Sequence, residues 1–236
     1  MLTAKDGFSA EQLSRLRQYD TCTLSNAIER LRIRPRCEGF VTGTAECRFP
    51  HLPPVIGYAV TGKIRAAMPP IDGRGYYDDL DWWRHLVTVP APRIVVMQDT
   101  DPSPGVGALF GEVHARISRA LGCVAYVTNG AVRDLPGIEA LGFQLFAGSV
   151  AVSHAYAHVV EFGEPVEIGG LGISCGDLLH GDLHGVHSIP RKDAGKLPEL
   201  AEQIRQEEQE LFRLTENEGF SVDMLAAKLG ERAGKR

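Results

Sequence analysis

Arg133 and Asp134 are adjacent in the run Asn129-Gly130-Ala131-Val132-Arg133-Asp134, and Glu112 precedes Arg133 with twenty residues between them. Two carboxylates and a guanidinium are the parts that hold a hard, oxygen-ligated cation such as Mg²⁺ or Mn²⁺ beside an anionic substrate. The adjacent Arg and Asp also suit a plainer role, a solvated ion pair in a turn, which is common on surfaces and weak. A second candidate is Gly105-Val106-Gly107-Ala108-Leu109-Phe110-Gly111, which lies between an apolar strand-like run and a helical one. A glycine loop ahead of a helix exposes backbone N–H groups at the helix's positive end, where carboxylate or phosphate is favoured. Glycines that merely let the chain reverse are the competing explanation. The spacing is not G-x-G-x-x-G, because the last gap is one residue too long, and the next strand ends in Thr128 and Asn129 with no acid. Both departures disfavour a dinucleotide or S-adenosylmethionine site.

These residues must be carried by particular elements. Helical spacing of Leu13, Leu16, Leu24, Ala27, Ile28 and Leu31 predicts two helices between Ser9 and Leu31, broken near Tyr19–Thr23, with Thr23 or Ser25 as candidate N-caps. Residues 33–54 read as a loop. Strands are predicted at 55–67, 93–98, 124–128, 144–146, 166–168, 171–173 and 186–189, and helices at 76–86, 109–120 and 138–140. A long helix at 197–214 and another at 220–229 form a tail, with Leu200, Ile204, Leu211 and Leu214 as one apolar stripe. Strand, helix, strand, short helix, strand in the middle of the chain predicts an α/β core with a partly parallel sheet. Neighbouring parallel strands bring their C-terminal loops together, so Glu112 and the Arg133–Asp134 pair are expected to share one cleft.

Other side chains carry less. His154 and His158 share a face if their segment is helical, but a third ligand is missing, so a structural role is expected. Strand alternation sends His184 and His187 to opposite faces, and Asp182-Leu183-His184-Gly185 reads mainly as a structural turn. Lys63 reads as a snorkelling lysine rather than a Schiff base, and Cys123 and Cys175 as small apolar residues. Trp82 and Trp83, adjacent on a helix, cannot both face one side. The five cysteines are odd in number and scattered, which disfavours a disulfide framework. A net charge of −5 without a basic run disfavours nucleic acid. The polar N-terminal segment and the lack of a long apolar run disfavour a signal peptide and a membrane span. A reduced, cytoplasmic protein is expected.

Three stretches carry a family resemblance: GALFGEV, then ALGCVAYVTNGAVRDLPGIEALGFQLFAGSV, then GGLGISCGDLLHGDLHGVHSIP. Together they resemble the RraA-like family over roughly residues 20–190, most strongly over 105–190. Its most specific pattern is an acidic residue, twenty intervening residues, then Arg-Asp, filled here by Glu112, Arg133 and Asp134. The resemblance implies a three-layer swivelling β/β/α domain over 1–190, with residues 191–236 as a helical tail packing on the domain or on a neighbouring subunit. It implies a homotrimer or homohexamer. It also implies class II aldolase or decarboxylase chemistry on a small 2-oxo acid through a pyruvate enolate, as in 4-hydroxy-4-methyl-2-oxoglutarate/4-carboxy-4-hydroxy-2-oxoadipate aldolases and oxaloacetate decarboxylases. In that reading Asp134 binds the divalent metal, Mg²⁺ or Mn²⁺, and Glu112 holds metal-bound waters. Arg133 contacts the pyruvyl part, and backbone N–H groups of Gly107, Ala108, Leu109 and Phe110 receive the substrate carboxylate. The family also contains a non-catalytic regulator of ribonuclease E, and some members have been described as methyltransferases, so both classes stay open. Asn129 departs from the Asp that many relatives carry, which removes a charge near the proposed site.

Overall fold

The computed structural model describes residues 7–71 and 80–233. Two short helices open the described chain, α1 (Ala10–Arg17) and α2 (Thr21–Leu31). The side chain of Ser9 caps α1 in a reciprocal capping box with Gln12. The cap of α2 is Asp20, whose carboxylate accepts from the Thr23 N–H, rather than Thr23 or Ser25. Asp is as good an N-cap as Ser, and its position just after Tyr19 starts the second helix earlier than its apolar spacing suggested.

The remaining elements are β1 (Glu46–Cys47), β2 (Val55–Arg65), α3 (Leu80–Leu86), β3 (Arg93–Asp99), β4 (Ala108–Phe110), α4 (Glu112–Ala120), β5 (Cys123–Val132), α5 (Leu135–Glu139), β6 (Gln144–Val150), β7 (His158–Phe162), β8 (Val166–Ile168), β9 (Leu171–Ile173), β10 (Leu178–Asp182), β11 (Gly185–Ser188), α6 (Leu197–Thr215) and α7 (Val222–Ala233). The part of the third predicted helix before Leu80, residues 76–79, lies outside the described residues. The main sheet has the order β1-β6-β5-β3-β2-β10-β11, with β4 pairing β5 and β7 pairing β2. The pairs β2/β3, β3/β5, β4/β5 and β5/β6 are parallel, and β1, β7, β10 and β11 are antiparallel additions.

Each face of this sheet is buried against a different layer. On one side Leu13, Leu16, Leu24, Ile28, Trp82, Ala115 and Ile138 pack from the helices onto Tyr58, Val60, Val95 and Tyr126. On the other, Val166, Ile168, Leu171 and Ile173 of the separate β8–β9 hairpin cover Ala59, Ile94, Val96, Ala125 and Val127. Strand β2 is buried at eight consecutive positions, as expected of a strand covered on both faces. The result is the swivelling β/β/α arrangement with a C-terminal helical tail. The first half of α6 buries Leu197, Pro198, Ala201 and Ile204, and Arg30 of α2 makes a bidentate pair with Glu207 of α6. The far half exposes Phe212.

Two differences from the sequence expectations bear on the site. The helix predicted from Leu109 begins at Glu112, and Ala108–Phe110 form a strand instead. Strand β5 does not stop at Thr128 but runs to Val132, with an irregularity between Thr128 and Ala131 that keeps its pairing with β6. Both changes follow from pairing: β4 docks in parallel on the end of β5, which satisfies backbone groups that a loop would leave to water.

Candidate active site

Glu112, Arg133 and Asp134 meet where β4 and β5 end. The Arg133 N–H donates to Phe110 O at 3.0 Å, so the last residue of β4 is tied to the residue following β5. Gly111 then leads into α4, with Glu112 in its first turn. The Glu112 backbone N–H donates to Asp134 Oδ2 at 3.2 Å, and Arg133 Nε donates to Asp134 Oδ1 at 3.1 Å. Both oxygens of Asp134 are therefore oriented by protein. Two glycines admit this crowding. A Cβ on Gly111 would lie 2.5 Å from Asp134 Oδ2, and one on Gly137 would lie 2.3 Å from Glu112 Oε2.

Asp134 is the N-cap of α5 and has φ +57° and ψ +37°. Asp tolerates this left-handed conformation better than most residues because of its short polar side chain. Partial burial pushes its carboxyl up, but the Glu112 N–H, the Arg133 hydrogen bond and the charges of Arg133 and His154 hold it below the ordinary range. It is an anion at neutral pH. Glu112 Oε1 accepts from Arg116 Nη2 at 2.5 Å and Nε at 2.8 Å. The side chains of Arg133, Asp134 and Glu112 are 29%, 37% and 37% exposed, at the surface rather than inside the core.

The glycine loop is fixed by Asp99, the last residue of β3. Its carboxylate accepts from the N–H of Gly105 at 2.8 Å and of Asp101 at 3.0 Å. Burial pushes the Asp99 carboxyl up, against the pull of those two N–H groups. Asn129 grips the backbone of the same residue from β5: its Oδ1 accepts from Asp99 N–H at 2.7 Å and its Nδ2 donates to Asp99 O at 2.9 Å. An aspartate could not make the second bond, so Asn129 acts here as a clip between strands. Ala108, Leu109 and Phe110, expected as a backbone cradle for the substrate carboxylate, form a strand rather than a helix start. The Ala108 N–H already donates to Ser153 O at 3.0 Å, and Ala108, Leu109 and Phe110 are all buried. The start of α4 offers the Glu112 N–H, and that is taken by Asp134.

The other histidines are dispersed. His154 and His158 are not on a helix; their Nδ1 atoms lie 2.7 Å from Ala108 O and 2.7 Å from Tyr156 O. His180 and His187 face each other across the β10–β11 hairpin, ring centroids 5.4 Å apart. His184 sits in the turn between these strands, where its ring approaches Asp182 Oδ1 at 3.2 Å. Asp182 is structural, accepting from the Thr21 N–H and hydroxyl at 2.7 Å each. Lys63 pairs with Glu161 of β7, and Trp82 is buried while Trp83 packs on His114. Cys123 is buried, Cys175 half-buried, and all five cysteines are unbridged.

Among the described residues no cluster of at least three His, Cys, Asp or Glu side chains could enclose a metal ion. That donor set does not fit zinc, which wants its shell filled by protein nitrogen or sulfur. It does fit Mg²⁺ or Mn²⁺. Mg²⁺ keeps several waters and is commonly held by only one or two carboxylates, here Asp134 with Glu112 beside it.

A family model described as Aldolase/RraA matches residues 21–187. A relative from Halalkalibacterium halodurans, named "Putative 4-hydroxy-4-methyl-2-oxoglutarate aldolase", is 32% identical over 85 residues, 36% of this chain and 40% of that protein. The chain thus spans well under half of that relative's length. Among solved structures, one described as "novel cellulases from microbes associated with the gut ecosystem" is 22% identical with TM-score 0.71, covering 86% of this chain and 88% of the other. Streptomyces coelicolor RraAS2, described as an unusual member of the RNase ES inhibitor RraA family, is also 22% identical, with TM-score 0.67 and 88% and 98% covered. At such identity these two structures establish the shared fold. With the family model spanning most of the chain, and with Glu112, Arg133 and Asp134 gathered at one strand end, the chain belongs to the RraA-like family.

Proposed function

We propose that this protein is a divalent-metal-dependent carbon–carbon lyase that cleaves or decarboxylates a 2-oxo acid to release pyruvate. The observation that carries this reading is the junction of β4, β5 and α4, where Asp134 is held ionised by the Glu112 N–H and by Arg133. A bound Mg²⁺ or Mn²⁺ would act as a Lewis acid, dispersing the negative charge that grows on the 2-oxo group as the bond breaks. Asp134 and Glu112 are the residues that would hold it. Arg133 is a permanent cation with donors in a fixed fork, placed to orient the pyruvyl carboxylate and to stabilise the same developing charge. With the Ala108 N–H engaged by Ser153 O, orientation of the substrate rests on Arg133 together with the remaining amides of the loop.

The test is pyruvate release from oxaloacetate and from 4-hydroxy-4-methyl-2-oxoglutarate, with Mg²⁺ or Mn²⁺ and after chelation. Metal-dependent pyruvate release that disappears in Asp134→Asn supports the reading, and no release from either acid sinks it. One observation favours a second reading, a protein-binding regulator without turnover: both carboxylates are already ion-paired, Asp134 with Arg133 and Glu112 with Arg116. A regulator would show no metal-dependent pyruvate release and would retain a protein partner in pull-downs.

A further inference from the structure

The Glu112 carboxylate is gripped from two sides. From one turn further along α4, Arg116 directs Nε and Nη2 onto a single oxygen, Oε1, at 2.8 and 2.5 Å. The other end of the carboxylate lies over Gly137 in the first turn of α5, where a Cβ would come within 2.3 Å of Oε2, 2.4 Å of Cδ and 2.9 Å of Cγ. Asp134 caps that turn, and its carbonyl accepts from the Gly137 N–H at 3.1 Å. Among the described residues Glu112 is the only hydrogen-bond partner of the Arg116 guanidinium, and the Arg116 side chain is 60% exposed. A glutamate four residues ahead of an arginine on an exposed helix face is ordinarily a weak, helix-stabilising pair. What sets this pair apart is its position. Glu112 opens the candidate metal site, where its own backbone N–H donates to Asp134 Oδ2 at 3.2 Å.

From this geometry we infer that Arg116 competes with the divalent metal for Glu112 and so sets how tightly the site holds it. This role rests on the metal site proposed above. The physical reason is charge. A guanidinium on Oε1 cancels negative charge that would otherwise attract a dication, and it occupies lone pairs that metal-bound waters need. Glu112 serves a hydrated ion only when Arg116 gives up one or both of its N–H contacts. The exchange costs little, because an exposed ion pair is weak and the released guanidinium returns to water. Pairing of Glu112 with Arg116 is then compatible with catalysis. It is a contact the site gives up on loading, not a sign that the site is inert.

Two single substitutions and their combination test this. Mn²⁺ affinity, read from the free-ion EPR signal without any turnover, is compared in wild type, Arg116→Gln, Glu112→Gln and the double variant. Arg116→Gln should bind Mn²⁺ about three- to fivefold more tightly, the weight of an exposed charge pair. In the Glu112→Gln background the same substitution should change affinity by less than about twofold, because the contested carboxylate is gone. An exposed substitution of this kind leaves the fold intact, which circular dichroism checks. Tightening of equal size in both backgrounds would reveal a general charge effect and overturn the competition. Weaker binding in Arg116→Gln would overturn it too, since Arg116 would then be helping Glu112 to hold the metal. A wild-type protein that binds no Mn²⁺, or binds it no better than Asp134→Asn, removes the metal site and this role with it. The expected Mn²⁺ behaviour without pyruvate release sinks the lyase reading alone and leaves the competition standing.

Discussion

At the scale of single residues, the left-handed conformation of Asp134 allows its charge to be tested apart from its backbone. Asn adopts φ +57° as readily as Asp, whereas Ala pays roughly 1 kcal/mol or more there. Asp134→Asn should therefore unfold in urea close to the wild-type midpoint, while Asp134→Ala should be less stable by about 1 kcal/mol; both should lose turnover. Equal stability of the two variants would mean that the left-handed conformation is not enforced. Gly137→Ala should act on Glu112 instead, because the new methyl would meet Oε2 at 2.3 Å. Its expected signature is a lowered kcat with an intact fold by circular dichroism, since the far end of a flexible side chain can move aside. The trio at this site was legible because adjacent Arg and Asp lie a fixed distance after an acid, on the ends of neighbouring strands. The placement of His154 beside β4 was not legible. Its spacing from His158 pointed to a helical face, but Ser153 and Ala155 fold the segment into a turn that no periodicity reveals.

At the scale of elements, the parallel strands β2, β3, β5 and β6 were readable because buried strands appear as runs of Val, Ile and Ala. Strand β4 was not. Three residues are too few to show alternation, and Ala-Leu-Phe followed by Gly-Glu-Val-His continues into the spacing of a helix; only the neighbouring end of β5 makes it a strand. Strand β10 was hidden by His180 and Asp182, polar types that burial would ordinarily exclude, although His180 is fully buried and Asp182 caps α2's start through Thr21. The extension of β5 through Asn129 explains why that residue is an amide. Replacing Asn129 by Asp removes the donor to Asp99 O and brings a second carboxylate to a buried acid. A loss of about 1–3 kcal/mol is expected, the cost of an unsatisfied buried acceptor. Urea unfolding at pH 7.5 measures it, and a variant as stable as wild type would show the clip to be dispensable. Because Asp99 also holds the Gly105 N–H, the same substitution should raise KM.

At the scale of the whole molecule, buried histidines govern acid stability. Burial pushes His180 down to about 4 against the opposing pull of Asp182, Asp20 and the Tyr19 backbone. Burial, with the charges of His180 and Arg34, also lowers His187 well below its usual value. Burial and the neighbouring His154 take His114 to about 4. In the unfolded chain each would titrate near 6.5. Above that pH both states hold these rings neutral and their contribution is fully present. As the pH falls below 6.5 the unfolded chain binds protons that the folded one resists, so stability drops through the window from about 6.5 to about 4. For His180 the full shift corresponds to roughly 3 kcal/mol. The His180–His187 pair sits where β10 and β11 close one edge of the sheet over α2, and His114 sits on α4 beside the candidate site, so acid loosens both regions. Urea midpoints measured from pH 8 to pH 4.5 should fall steadily below 6.5 in the wild type, and His187→Phe should flatten part of that fall. Its ring fills the same buried space without a proton to gain, and an unchanged pH dependence in that variant would exclude His187 as a source of the acid sensitivity.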